Sequence, residues 1–348
     1  PAARGNLIHF CLEEIMCKKE NGKMLYDPDF ERLTDDQIKA KIHTLCMDYS
    51  NREWGGSFAK TKRFYESVKK LETAAFYVVK NILGEFERSL FRPVAFEYDL
   101  KNQDGKSLLT IKVDDRVHIN IFGKIDRVDV YDENDTRYIR IIDYKTGGKV
   151  LSLSDLYNGL NMQMIIYLLA LIKSDNEITE NKDPYPAGIL YMPAKYVGNF
   201  VDRKAGVPTL AEDIKNQLED MRNKAFKRDG LIAENDISIA AMDKAISGIY
   251  APVKTKKDKS FTEKSKLMDE KLFVALCEFT KNKISDMGER LLNGDIKAKP
   301  VMSGNDKACK YCEYWSVCGN YGDREPRLVS PEDEAKLYAE LNEIAKGE

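Results

Sequence analysis

Several features are scarce or absent in this sequence of 348 residues. No apolar run reaches about 18 residues, so no transmembrane helix is expected. Seven cysteines are too few for a disulfide-dense scaffold and are typical of a reducing compartment, so we expect a cytoplasmic protein. No P-loop motif is present, and ATP binding through such a loop is therefore not expected.

The chain also has no strong excess of either charge. Its 55 Lys and Arg residues and 57 Asp and Glu residues give a formal net charge of -2. The field of the whole molecule therefore does not attract a polyanion, and nucleic acid would have to bind at a local basic surface. Hydrophobic residues make up 43% of the chain, which indicates a globular protein with enough apolar side chains for a core.

The spacing of apolar residues predicts a mixed α/β fold. In about the first ninety residues apolar positions recur at three- and four-residue steps, which is typical of helices, and Gly84 is expected to end the second long helix. From Pro93 to Leu100 the period is two, as in a β-strand. The other predicted elements are strands near 117–130, 137–144 and 187–192 and a helix from Ser154 to about Lys173.

Strands, a helix and a further strand in this order indicate a mixed β-sheet flanked by helices. We expect residues 1–195 to form the core, with N-terminal helices and a catalytic sheet. Residues 196–300 are expected to form a large, mostly helical, lysine-rich insertion. Residues 301–348 would be a cysteine-containing segment and tail.

The densest group of polar residues lies on two neighbouring predicted strands. Gly123-Lys124-Ile125-Asp126-Arg127-Val128-Asp129 precedes Ile141-Ile142-Asp143-Tyr144-Lys145-Thr146-Gly147. Asp143 and Lys145 are two residues apart on one strand, so their side chains leave the same face, beside Asp126 of the strand before. Neighbouring carboxylates repel each other unless a cation lies between them, and hard divalent ions prefer oxygen ligands. The sequence therefore predicts a Mg²⁺ or Mn²⁺ site.

These residue types suit phosphodiester hydrolysis. A divalent ion acts as a Lewis acid, lowers the pKa of its bound water and balances the charge of the leaving oxygen. Lys145 would orient or deprotonate the attacking water. The alternative is a solvated strand face without chemistry. The apolar residues Ile139, Ile141 and Ile142 and the glycines that follow favour a site at a buried strand end.

Further motifs make this pattern specific. They are Arg4-Gly5-x3-His9, Glu97, the two segments around Asp126 and Asp143, Gln163-x3-Tyr167 and Cys309-x2-Cys312-x5-Cys318. In order and spacing they resemble the PD-(D/E)XK nucleases of the RecB type. The lysine-rich segment between Met192 and Cys309 is most similar to the C-terminal nuclease domain of AddB-type components of bacterial helicase-nucleases. The resemblance implies a core like that of restriction endonucleases.

The resemblance also implies a role for each matching residue. The implied metal ligands are His9, Asp126, Asp143 and the carbonyl oxygen of Tyr144. The other implied catalytic residues are the amine Lys145, Glu97 near the site, and Gln163 and Tyr167 on the following helix. Independently of the resemblance, Gln163 and Tyr167 are an i, i+4 pair and so share one helix face.

The cysteine series has a spacing suited to thiolates around one metal centre. The resemblance implies a 4Fe-4S cluster bound by Cys309, Cys312, Cys318 and a fourth cysteine well before the helix of His9. Residue 1 is proline, so we expect a fragment of a longer protein that lacks this fourth cysteine. The cluster is expected in the intact parent protein and not in this fragment, with a three-thiolate cluster or a substituted ligand as the alternatives.

Sequence-independent binding of DNA relies on Lys and Arg contacts to phosphate. Lys124 and Arg127 are candidates beside the acids, and pairing with Asp129 is the alternative for Arg127. The other candidates are Lys254, Lys256 and Lys257, which lie in the part of the lysine-rich segment from Lys254 to Lys266. The alternative for this part is a solvated loop.

The leading hypothesis is a Mg²⁺- or Mn²⁺-dependent deoxyribonuclease, an exonuclease that degrades single-stranded DNA during double-strand-break repair and recombination. The resemblance implies DNA as the substrate and a helicase partner of the AddA type, and no membrane partner is expected. Two alternatives remain open. One is an inactive module that binds DNA or the helicase, and the other is a stand-alone RecB-type exonuclease.

Overall fold

A computed structural model describes most of the chain. The residues described are 2–20, 23–54, 61–102, 104–147, 151–197, 211–258, 260–297, 299–303, 306–314, 316–318 and 326–347. Lys259 of the lysine-rich segment lies outside them. Within these ranges no helix has both the length and the apolar character that crossing a bilayer requires.

The chain forms two compact units, each discontinuous in sequence. Unit 1 comprises Pro1–Asp99, Lys124–Val150 and Glu177–Met268, and unit 2 comprises Leu100–Gly123, Leu151–Asn176 and Asp269–Glu348. The segments expected from the sequence, 1–195 and 196–300, each contribute to both units.

Helices α1 to α3 of unit 1 account for the apolar spacing near the start of the chain. They are α1 (Ala2–Met16), α2 (Asp35–Glu53) and α3 (Lys62–Phe86). Thr34 begins α2 with a capping box, because its side chain accepts from the Gln37 N–H and Gln37 bonds back to Thr34. Gly84 does not end α3, which continues and buries Glu85 and Phe86. Glycine within a helix costs about 1 kcal/mol, and burial of this last turn offsets that cost.

Unit 1 is built on a mixed six-stranded sheet, which confirms the predicted α/β fold. A hairpin of β1 (Cys17–Glu20) and β2 (Lys23–Tyr26), which the sequence did not predict, precedes the sheet. The strands of the sheet are β3 (Arg92–Asp99), β6 (Lys124–Glu133), β7 (Thr136–Lys145), β8 (Asp183–Pro193), β9 (Asp229–Ala233) and β10 (Leu267–Met268). Their order is β10-β9-β8-β7-β6-β3. The pairs β7–β8 and β9–β10 are parallel, and the other neighbours are antiparallel.

The segment 196–300 contains strands as well as helices. Its helices are α6 (Ala211–Ala225), α7 (Asp236–Met242) and α8 (Glu270–Leu292), and it also supplies β9 and β10 of the central sheet. Gly230 of β9 has a φ of +147° and lies so close to the carbonyl oxygen of Ile189 in β8 that a side chain has no room. Glycine therefore allows β9 to pair with β8 at this position.

Unit 2 is mostly helical. Its helices are α4 (Leu153–Tyr157), α5 (Gln163–Lys173), α8 (Glu270–Leu292) and α9 (Glu332–Lys346). Its strands are β4 (Leu109–Lys112), β5 (His118–Ile121), β11 (Val301–Ser303), β12 (Asp306–Lys307) and β13 (Arg327–Val329). The prediction of one helix from Ser154 to Lys173 is wrong. Gly159 and Asn161 have φ angles of 78° and 56°, which a right-handed helix does not contain.

Five buried charged groups connect the sheet of unit 1 to α3. They are Glu85 of α3, Arg127 and Asp129 of β6, Arg140 of β7, and Arg228 just before β9. Arg140 Nη2 donates to Glu85 Oε1 at 2.6 Å and to Asp129 Oδ2 at 2.8 Å. Arg127 Nη2 donates to Asp129 Oδ2 at 2.7 Å, and Arg228 Nη2 donates to Glu85 Oε2 at 2.9 Å. These bonds tie both strands of the β6–β7 hairpin to α3.

We expect Glu85→Gln to lower the free energy of unfolding by about 3–5 kcal/mol, because one carboxylate is then left to neutralise three buried guanidinium groups. Urea denaturation at neutral pH measures this change. Glu87→Gln, an exposed position two residues further along, is the control and should change the value by less than about 0.5 kcal/mol. Equal stability of the two variants would contradict the stabilising role of the cluster.

The same carboxylate predicts how stability depends on pH. Burial raises the pKa of Glu85, but the charges of Arg140, Arg228 and Arg127 outweigh burial and lower it from 4.5 to about 2. A carboxyl group with a lowered pKa stabilises the folded state above its unfolded pKa and loses that contribution as the pH falls. The free energy of unfolding should therefore decrease between pH 4.5 and about 2, and less steeply in Glu85→Gln. Parallel curves of unfolding free energy against pH for the two proteins would refute this.

Candidate active site

Three acidic residues form a row across neighbouring strands of unit 1. The register pairs Arg127 of β6 with Phe96 of β3 and with Ile142 of β7. One residue beyond these partners, each strand carries an acid: Asp126, Glu97 and Asp143. Side chains alternate along a strand, so Asp126 and Asp143 lie side by side on the face opposite to Arg127. The two acids that the sequence predicted to converge are therefore neighbours.

His9 of α1 contributes an imidazole to this group. Its Nδ1 lies 3.5 Å from Asp126 Oδ2 and 3.6 Å from Glu97 Oε1. Its Nε2 lies 3.1 Å from the carbonyl oxygen of Tyr144. Asp126 Oδ2 also accepts a hydrogen bond of 2.8 Å from the Tyr144 N–H, which fixes the orientation of the carboxylate.

Burial and neighbouring charges perturb the pKa values of these groups. Burial raises the pKa of Asp126 to about 6, and the charges of Asp143 and Glu97 raise it too, while His9 lowers it. Burial lowers the pKa of His9, but hydrogen bonding to Glu97 and the charges of Asp126 and Glu97 outweigh burial, so its pKa is raised. The site thus gathers negative charge where solvation is poor, and a bound cation would relieve the repulsion.

The donor atoms fit a divalent cation. One ligand atom each from His9, Glu97 and Asp126 lie within 4.8 Å of one another, close enough to share a single ion. Carboxylate oxygens suit Mg²⁺ and Mn²⁺, and an imidazole suits first-row transition metals. Of the predicted ligands, the structure therefore brings together His9, Asp126 and the Tyr144 carbonyl. Glu97, which the sequence placed only near the site, belongs to the group, whereas the role of Asp143 as a ligand stays a prediction.

Lys145 is the amine that the sequence placed beside the acids. Its Nζ forms an ion pair with Asp143 Oδ2, and its side chain is 26% exposed. The same Nζ lies 5.7 Å from the ring centroid of Tyr191 in β8. An ammonium group held in this way can orient a water molecule or stabilise a developing anion.

Glu97 has a backbone conformation that is rare for a residue with a side chain. Its φ angle is +43°, in the left-handed region, although the residue lies within β3. Such a conformation costs about 1–3 kcal/mol and persists only where the surrounding structure imposes it. The carboxylate that contacts His9 is therefore held at an energetic cost.

Gln163 and Tyr167 belong to α5 of unit 2. Gln163 Nε2 donates to the Tyr167 hydroxyl at 3.2 Å, as expected for an i, i+4 pair. The Tyr167 hydroxyl lies against Gly123, and any side chain at that position would overlap it. This close contact is the reason that position 123, just before Lys124, has a glycine and not a residue with a side chain. The catalytic role of the pair stays a prediction.

The residues predicted to bind DNA have different surroundings. The side chain of Lys124 is exposed, with Nζ 4.0 Å from Glu97 Oε2. The prediction that Arg127 contacts phosphate is wrong, because its guanidinium is fully buried and paired with Asp129. The exposed residues of the lysine-rich segment, whose contacts with DNA stay a prediction, include Lys254, Lys256 and Lys257.

The cysteine series lies in unit 2. Cys309 is partly buried on the short 3-10 helix Ala308–Tyr311, and Cys312 and Cys318 are exposed. In the described part of the chain these thiols do not form a set of three ligand atoms close enough to share one ion. The iron-sulfur cluster that the resemblance implies stays a prediction.

The sequence interpretation missed one acid near the site. Glu13 lies one helical turn after His9 on α1. Burial and the charge of Glu97 raise its pKa, which indicates that Glu13 lies close enough to the group to interact with it electrostatically. Its i, i+4 spacing from His9 is a signal that could have indicated it.

Comparison with known proteins agrees with this fold. The sequence profile of the PD-(D/E)XK nuclease superfamily matches residues 1–319. The chain belongs to the PD-(D/E)XK nuclease superfamily.

The chain is also similar to curated proteins that are named as one of the subunits of an ATP-dependent helicase/deoxyribonuclease. It is 31% identical to the protein of Clostridium novyi (strain NT) over 311 residues, which are 88% of this chain and 26% of that protein. It is 30% identical to the protein of Thermoanaerobacter sp. (strain X514) over 347 residues, which are 97% of this chain and 29% of that protein. The chain therefore spans less than a third of the length of these relatives.

We expect Glu97→Gly to be more stable than Glu97→Ala by about 0.5–1 kcal/mol, because glycine adopts a positive φ without steric cost. Both variants lose the carboxylate, so the difference in unfolding free energy isolates the backbone strain. At His118, an exposed position in β5, the same two substitutions should give the reverse order. Alanine equal to or better than glycine at position 97 would show that this backbone is not strained.

Asp126→Asn should weaken the binding of Mn²⁺ by at least about tenfold, because it removes a charged ligand from the group. Isothermal titration calorimetry of the protein with Mn²⁺ measures the affinity. Asp135→Asn, in the exposed turn of the same hairpin, removes the same charge and should bind Mn²⁺ like the wild type. Equal affinities of the two variants would place the metal elsewhere.

Proposed function

We propose that this chain is the metal-dependent deoxyribonuclease domain, with exonuclease activity, of a bacterial helicase-nuclease. The observation that carries the proposal is the group of His9, Glu97 and Asp126 beside the Asp143–Lys145 ion pair. Membership of a nuclease superfamily supports hydrolysis of phosphodiester bonds as the reaction. The names of the similar proteins support DNA as the substrate.

In the proposed reaction, some residues of the site bind the metal ion and Lys145 acts on the attacking water. His9, Glu97 and Asp126 would hold Mg²⁺ or Mn²⁺, together with the Tyr144 carbonyl and Asp143 that the sequence predicts as ligands. The bound ion would supply Lewis acidity towards the phosphate and lower the pKa of water. Lys145 Nζ, which the ion pair with Asp143 positions, would orient the attacking water and stabilise the negative charge that develops on the phosphate.

Single-stranded DNA is the proposed form of the substrate. The names of the similar proteins join a deoxyribonuclease to an ATP-dependent helicase, and a helicase converts duplex DNA into single strands. The sequence contains no P-loop motif, so strand separation would come from elsewhere in the assembly, including a partner of the AddA type. The proposed setting is double-strand-break repair and recombination in the cytoplasm.

Asp143→Ala and Lys145→Ala should each slow the hydrolysis of single-stranded DNA by about 100-fold or more, because each removes a group that orients the reaction. A labelled linear oligonucleotide in Mg²⁺ or Mn²⁺, resolved on denaturing gels, gives the rate. Asp36→Ala and Lys39→Ala are matched controls, since these residues form an exposed Asp–Lys ion pair of 3.3 Å on α2. Both control variants should retain the wild-type rate.

Wild-type rates in the Asp143 and Lys145 variants would contradict the proposed function. A wild-type protein that binds DNA, but neither binds Mn²⁺ nor cleaves, would favour the inactive binding module. A circular single-stranded substrate tests the exonuclease activity separately, since an exonuclease requires an end and should leave the circle intact.

A further inference from the structure

A cavity of about 340 Å³ opens beside Lys145 in unit 1. It lies at the edge of the sheet where β7 and β8 end and β9 begins, and Tyr191 of β8 and Asp229 of β9 line it. The lysines that line the cavity are Lys145, Lys195, Lys224, Lys227, Lys264 and Lys266. They come from four separate parts of the sequence, which indicates that the fold, and not a local charge run, gathers them.

Most of these lysines have no acidic partner among the residues that the structure describes. Lys145 pairs with Asp143, but the other five are exposed and form no ion pair with an acid in the described ranges. Among the described residues that line the cavity, Asp229 is the one acid, against six lysines, so the excess of positive charge belongs to the cavity and not to the nearly neutral chain. Like charges in a cleft repel one another and concentrate a positive field, which an anion of several charges would neutralise.

The cavity adjoins the row of acids. In the sheet, Asp143 pairs with Tyr191, and Tyr191 pairs with Asp229 at the cavity wall. Lys145 borders both regions, because its Nζ pairs with Asp143 while its side chain lines the cavity. An extended polyanion can therefore occupy the cavity and pass the acids at the same time.

We propose that this cavity binds phosphate groups of the DNA strand next to the phosphodiester bond that is cleaved. The inference rests on the proposed function and adds the path of the strand, from the acids past Lys145 towards Lys227, Lys264 and Lys266. Lysine contacts to phosphate carry no information on the bases, so the cavity accepts any sequence.

Fluorescence anisotropy of a labelled single-stranded oligonucleotide, in EDTA so that no hydrolysis occurs, tests the proposal. The triple variant Lys227→Gln, Lys264→Gln and Lys266→Gln should bind about tenfold or more weakly at low salt. The slope of log Kd against the logarithm of the salt concentration should be smaller than that of the wild type by about 2, since each lost lysine–phosphate contact with a single strand lowers this slope by about 0.7. In Mn²⁺ the variant should raise KM for the oligonucleotide more than it lowers kcat.

The matched control removes the same charge from Lys41, Lys62 and Lys69. These lysines are exposed on α2 and α3 of the same unit and do not line the cavity. The control variant should bind the oligonucleotide within about twofold to threefold of the wild type. Equal losses in the two triple variants, or a larger loss in the control, would overturn the proposal.

Calorimetry with thymidine 5′-monophosphate separates a strand from a free nucleotide as the ligand. A cavity variant that loses mononucleotide binding but binds the oligonucleotide normally would overturn the proposal in favour of a site for released nucleotide. Binding in EDTA does not depend on catalysis. Failure of the wild type to cleave DNA would therefore contradict the proposed function, while the anisotropy comparison would still decide whether the cavity binds a strand.

Discussion

The register of the β6–β7 hairpin is the constraint on which the candidate site depends. On one face of the hairpin Arg127, Asp129 and Arg140 are bound to one another and to Glu85 of α3. Side chains alternate along a strand, so this arrangement sends the neighbouring acids to the other face. A slip of one residue would expose the buried ion cluster and bury the acids against α3. The cluster thus fixes the position of the acids of the candidate site without touching them.

The candidate site is arranged at a cost in stability that a cation would offset. Asp126 is partly buried beside Asp143 and Glu97, and its pKa of about 6 reflects this burial and their repulsion. Glu97 is held in a left-handed conformation within a strand. Neither feature stabilises the fold, and both bring negative charge towards His9. Their shared consequence is a pocket whose charge and donor atoms match a divalent ion.

The sequence predicted those features that depend on a short stretch of chain. Asp143 and Lys145 are two residues apart in an apolar strand, and the acid of the preceding strand follows from hairpin pairing, so their convergence could be foreseen. The contact of Glu97 with His9 depends on a positive φ that no local pattern indicates. The burial of Arg127 depends on Glu85, which lies far away in the sequence on α3. The break between α4 and α5 depends on the positive φ angles of Gly159 and Asn161. The lysine-lined cavity combines segments that are adjacent only after β9 and β10 join the sheet.

An anomalous difference map from a crystal of the protein soaked in Mn²⁺ tests the central claim most directly. The account predicts one peak coordinated by His9 Nδ1 and by carboxylate oxygens of Asp126 and Glu97, and the map would also show whether Asp143 and the Tyr144 carbonyl are ligands. No peak at this group, or a peak bound only by residues outside the row of acids, would contradict the assignment of the site as a metal-dependent nuclease centre.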